Sequence, residues 1–157
     1  MAAVVPQDEC ESLAGHPIVT AMALDGSEPI AGARRAARSF MTAVQAVHGV
    51  PVSDRAMSMV ELVVSELVTN AYKYAPGPCL VDLEVHDGAV EISVWDTAAQ
   101  LPAVSPADPS RVGQHGLEIA MAACRSFEVR REPVGKRVKV TIGLADDPGG
   151  HPAGRML

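Results

Sequence analysis

Glu66 and Asn70 stand four residues apart in the run Glu61-Leu-Val-Val-Ser-Glu-Leu-Val-Thr-Asn-Ala-Tyr-Lys-Tyr-Ala-Pro-Gly-Pro78. On a helix turning about 100° per residue, side chains at i and i+4 are neighbours. Val60, Val63, Val64, Leu67, Val68, Ala71 and Ala75 share one apolar arc of that helix, and Glu61, Ser65, Thr69 and Tyr72 fall outside it. Glu66 and Asn70 lie at the arc's other edge, beside Met59 and Val63. A carboxylate there is partly desolvated unless something pairs with it. An anionic glutamate can orient or deprotonate a nucleophile. An asparagine carbonyl can ligate Mg2+, a hard cation that takes few protein ligands beside phosphate oxygens. Spacing alone leaves the plainer reading open: a boundary glutamate reaching water, with Asn70 as its hydrogen-bonding neighbour.

Two further groups have chemical potential. Asp96 ends an alternating run and enters a loop. A carboxylate at a strand end can accept a hydrogen bond from an exocyclic amine, or simply cap local amides. Gly113-Gln-His-Gly116 precedes an apolar stretch that reads as a helix. Glycines let backbone approach phosphate, and a helix N-terminus favours an anion; a hinge and cap is the plainer alternative.

The elements that must position these groups follow from pattern. Pro17 to Leu24 is a short apolar run closed by Asp25-Gly26, a first strand. Ser27 or Glu28 is expected at the cap of a helix that runs to about Val47, with Pro29 early in it. Ile30, Ala33, Ala37, Phe40, Met41, Val44 and Val47 form its apolar face, and Arg34, Arg35 and Arg38 a basic one. That basic face is either simply solvated or a docking surface for an acidic partner. Ser53 is a favourable N-cap for the next helix, which Pro76-Gly-Pro78 stops. Cys79 to His86 and Ala89 to Trp95 alternate as strands around Asp87-Gly88, a hairpin turn, with Leu80 out of step on the polar side. Thr97 to Val112 contains three prolines and reads as a lid-like loop. Leu117 to Cys124 reads as a short helix, and Phe127–Arg131 and Arg137–Leu144 as a last hairpin. The expected fold is α+β: a two-layer sandwich, its mostly antiparallel or mixed sheet covered on one face by about three helices. Residues 1–15 and 146–157 are expected to be flexible tails around one domain, 16–145.

Composition bounds the class. The 157 residues are 48% hydrophobic but only 3% aromatic, so the core is built from Val, Leu, Ile, Ala and Met. A net charge of -6 argues against direct nucleic-acid binding, which needs a basic surface. Cys10, Cys79 and Cys124 have no CxxC spacing and imply neither a disulfide framework nor a zinc site. No apolar run approaches the roughly 20 residues needed to span a bilayer, and the N-terminus does not read as a signal peptide. A cytoplasmic protein without membrane association is expected.

Taken in order, these groups resemble a known family. The chain resembles the Bergerat-fold ATPase domains shared by DNA gyrase, the large heat-shock chaperone, histidine kinases and MutL. Within these it is most similar to the anti-sigma factor serine/threonine kinases, of the stand-alone actinobacterial type. Glu61 to Ala75 resembles the N box, Val94-Trp-Asp-Thr-Ala-Ala-Gln-Leu-Pro102 the first glycine box, and Gly113-Gln-His-Gly-Leu117 the second. Gly135-Lys136-Arg-Val138 resembles the final hairpin. The resemblance covers roughly residues 17 to 144, and the N box is its specific element. It implies ATP and Mg2+ as ligands, Asn70 as the Mg2+ ligand, Glu66 as catalytic base and Asp96 as the reader of adenine. It implies backbone contacts to phosphate from Gly113, Gly116 and Leu117, residues 103–112 as a lid, and Lys73 near the nucleotide. Two departures bear on ATP affinity. Thr97, Ala98, Ala99 and Gln100 stand where the first box carries glycines, and Gln114 brings a Cβ into the second. His115 stands where that box often has Arg.

The implied function is that of an ATP-dependent protein serine/threonine kinase and anti-sigma factor. It would phosphorylate an anti-sigma factor antagonist, hold a sigma factor, and form a homodimer. The alternative is a non-catalytic, nucleotide-sensing regulator that binds a partner. The intact Glu66 favours the kinase, and the altered glycine boxes favour the regulator. A sensor histidine kinase is less well supported, because no second domain bearing a phosphoacceptor histidine is read in the chain.

Overall fold

The computed structural model describes residues 16–97 and 124–145. The expected lid, the Gly113–Leu117 box, nearly all of the short helix and both tails lie outside these residues.

The 54–74 helix forms where the pattern places it, and it organises the rest. Ser53 caps it: its Oγ accepts the backbone N–H of Ala56 at 3.0 Å. Ala56, Val60, Val63, Val64, Leu67, Val68 and Ala71 are its buried residues, the apolar arc of the wheel with Ala56 added. Removing a valine side chain of this kind from water is worth about 1.5 kcal/mol or more. The helix stops where Pro76 can neither donate an N–H nor leave Ala75 in helical backbone; Ala75 has φ -142° and ψ 62°. We label this helix α2 (Asp54–Tyr74) and the one before it α1 (Ile30–His48). α1 packs against α2, and α2 packs on the sheet.

The strands are β1 (Ile18–Leu24), β2 (Cys79–His86), β3 (Ala89–Asp96), β4 (Ser126–Arg131) and β5 (Lys136–Gly143). Asp87 at φ 51° and Gly88 at φ 75° form the tight turn that sets the β2–β3 register. That register pairs Val81 with Val94, Leu83 with Ile92 and Val85 with Val90. β5 extends the same face with Val138, Val140 and Ile142 opposite Val94, Ile92 and Val90. The order across the sheet is β1-β2-β3-β5-β4, and every pairing is antiparallel. The result is the expected α+β sandwich, with two helices among the described residues. On the other face Leu80 stays exposed, as its place in the alternation requires. There the Trp95 indole N–H donates to Asp82 at 3.2 Å, and the Arg137 guanidinium lies 4.5 Å from the Trp95 ring centroid.

One local expectation changes. Ser27 and Glu28 do not cap α1; Pro29 occupies that position, with no side-chain cap. The loop bonds to itself instead: Asp25 N–H donates to the Glu28 carboxylate at 2.9 Å, and Ser27 donates to Asp25 at 2.7 and 2.8 Å. The basic face of α1 is exposed, and it also reaches the neighbouring helix. Arg38 pairs with Glu61, and Arg34 reaches the Ser65 hydroxyl at 3.5 Å, so two of the three arginines span to α2. Among the described residues no helix is long and apolar enough to cross a membrane.

Candidate functional site

Antiparallel register gathers one end of the sheet. Leu24, Cys79 and Asp96 lie in one row across β1, β2 and β3. Core-facing alternation along β3 (Val90, Ile92, Val94) carries on to Asp96, which is only 4% exposed. A carboxylate so buried needs a partner. Lys136, the first residue of β5, supplies it. Its Nζ is 2.6 Å from Asp96 Oδ2, and its backbone N–H lies 3.4 Å from Oδ1. Gly135 makes this closure possible. It adopts φ 79°, and a Cβ there would collide with the Asp96 carbonyl. Sequence reasoning singled out Asp96 but not its cation, which is 40 residues away along the chain.

The same end carries groups that pattern did not mark as site residues. The Cys79 thiol is pushed up by burial first, then by the charges of Asp96 and Glu28. The Tyr72 hydroxyl donates to Glu28 at 3.4 Å. Burial, reinforced by Glu28, pushes the Tyr72 phenol up to about 12. The one available signal was Tyr72's position outside the apolar arc of α2.

Glu66 and Asn70 are both half-buried, at the border the helical wheel assigns them. Glu66 Oε1 is buried and has no hydrogen-bond partner among the described residues. Burial raises the Glu66 carboxyl above the usual carboxylate range, with the positive charge of Lys73 opposing. Lys73 itself is exposed, its ammonium 5.3 Å from the Tyr74 ring centroid. Gly113, Gly116 and Leu117 lie outside the described residues.

A family model, the histidine kinase-like ATPase domain, matches residues 30–142. The chain belongs to that family. A search of curated proteins finds no match. Among solved structures, the chain is similar to the histidine kinase domain of the blue-light activated histidine kinase of Erythrobacter litoralis EL346. That likeness is 20% in identity with a TM-score of 0.48, over 71% of this chain and 65% of the other. The chain thus spans slightly under two thirds of the length of that domain.

As a histidine kinase-like ATPase domain, the chain is of an ATP-binding type, and its residues can be tested against Mg2+. Among the described residues no group of three His, Cys, Asp or Glu could hold a metal. An ion would therefore draw on isolated oxygen donors together with phosphate and water, which is how Mg2+ is usually bound. The Asn70 carbonyl, at the border of the helix's apolar arc, is a donor of that hard type. The residues present fit the ion.

Proposed function

We propose that this ATPase domain is a protein serine/threonine kinase that also acts as an anti-sigma factor. The observation that carries the catalytic half is Glu66: a carboxylate with one buried oxygen that has no hydrogen-bond partner among the described residues, raised in pKa, one turn from Asn70. A stability role is a poor account of an orphaned polar atom, which costs about 1–3 kcal/mol. A raised pKa brings a carboxylate closer to what a general base needs near neutral pH.

In this reading Asn70 holds Mg2+, which would neutralise phosphate charge when bound. Asp96 accepts from the adenine amine, and Lys73 lies near the nucleotide. Gly113, Gly116 and Leu117 receive the phosphates through backbone amides. Glu66 takes the proton from a serine hydroxyl of the substrate protein as that oxygen bonds to the γ-phosphorus. The bond from phosphorus to the bridging oxygen breaks, and ADP leaves. Positioning supplies most of the catalysis in such transfers. The substrate is a small anti-sigma factor antagonist. The added phosphate charge ends its complex with the kinase, and the kinase then holds a sigma factor. The similarity of the N box to anti-sigma kinases supports this assignment, as it does a cytoplasmic homodimer.

Glu66→Ala tests the kinase. Loss of phosphotransfer with ATP binding retained supports it. A variant that regulates its partner as well as wild type favours a second reading, a nucleotide-sensing module without catalysis. Thr97 to Gln100 and Gln114, in place of glycine-rich sequence, are the observations on that side.

A further inference from the structure

The Lys136–Asp96 pair is more than a strut. Its side chains are 11% and 2% exposed, and a pair this buried gains little over an apolar pair of similar volume. Stability therefore does not explain why a carboxylate ends a row of core-facing aliphatics. The geometry offers another reason. Lys136 bonds each Asp96 oxygen once, from Nζ and from its own backbone N–H. Two anchor points, one on the β5 backbone and one at the end of the buried lysine side chain, fix the plane of the carboxylate. A carboxylate held by two N–H donors turns its remaining acceptor lone pairs to a ligand. It rewards a ligand that presents an N–H and rejects one that presents a carbonyl oxygen.

We infer that Lys136 is a specificity-determining residue, which orients Asp96 so that the site selects purines bearing a 6-amino group. This rests on the reading of Asp96 as the base contact. Lys136 acts through Asp96 and is a positioning residue, not a catalytic one. Gly135 belongs to the same device, because any side chain there would push the β4–β5 turn off the Asp96 backbone.

The experiment compares two ligands on the full chain in Mg2+: ATP, and purine riboside triphosphate, which lacks only the 6-amino group. Wild type is expected to prefer ATP on the order of 30-fold, the worth of one hydrogen bond to a charged group. Lys136→Met should bring that preference to near unity by weakening ATP alone. Lys136→Arg, which keeps the charge, should retain most of it. Melting curves establish which variants are folded, and Lys136→Gln replaces Lys136→Met if the latter unfolds. A folded variant that loses both ligands equally and keeps the preference makes Lys136 merely structural and overturns the inference. A wild type that binds both ligands equally well also overturns it. A wild type that binds neither contradicts the nucleotide site itself, an outcome visible before any variant is made.

Discussion

In the proposed kinase, Glu66 and Asn70 would divide the work in ways that single substitutions separate. Glu66→Gln keeps the shape of the side chain and removes its basicity. Phosphotransfer to the antagonist should fall about 100-fold or more, while calorimetry should show ATP affinity little changed. Asn70→Ala should weaken ATP binding in Mg2+ and leave binding in chelator as it was; an equal loss in both would remove Asn70 from the ion. The border position of this pair was readable from the wheel, because burial on a helix follows its period closely. Asp96 was readable as the end of an alternating strand. Its ion pair was not, because Lys136 meets it only through the β3–β5 pairing, and no local pattern encodes a contact 40 residues away.

At the scale of elements, α2 and the β2–β3 hairpin were readable almost to the residue. Each is specified locally, by Ser53 and Pro76 at the helix ends and by Asp87-Gly88 at the turn. The insertion of β5 between β3 and β4 was not, because strand order depends on which apolar faces complete the core. The α1 cap was misread because Ser27 and Glu28 are good capping residues, yet their loop satisfies Asp25 instead. Two stability measurements address the elements. Ser53→Ala should cost about 1 kcal/mol in chemical denaturation through loss of the Ala56 bond. Gly135→Ala should cost about 2 kcal/mol or more, since a side chain at φ 79° is strained and its Cβ has no room. A Gly135→Ala variant as stable as wild type would mean that the turn does not close on Asp96.

Across the whole molecule, the outer sheet face far from Asp96 carries a titrating cluster. His86 lies 3.2 Å from Asp87, 3.5 Å from Glu91 and 3.9 Å from Glu84. The Asp87 hydrogen bond and then the nearby carboxylates raise its pKa, with burial opposing. A group whose folded pKa is raised stabilises the fold fully below its unfolded value, about 6.5 for histidine. That contribution is lost as pH rises through the folded value. Wild type should therefore lose stability relative to His86→Gln on going from acid to mildly alkaline pH. Parallel pH profiles for the two would show that the cluster does not act.

The central claim is that this fold binds Mg·ATP between α2 and the Asp96 end of the sheet, despite its altered glycine boxes. A calorimetric titration of ATP into the purified chain, with Mg2+ and again in chelator, tests it most directly. Saturable binding that weakens when the metal is removed is the predicted result. No heat of binding at millimolar ATP in Mg2+ would contradict it, and would leave the chain a partner-binding scaffold rather than a kinase.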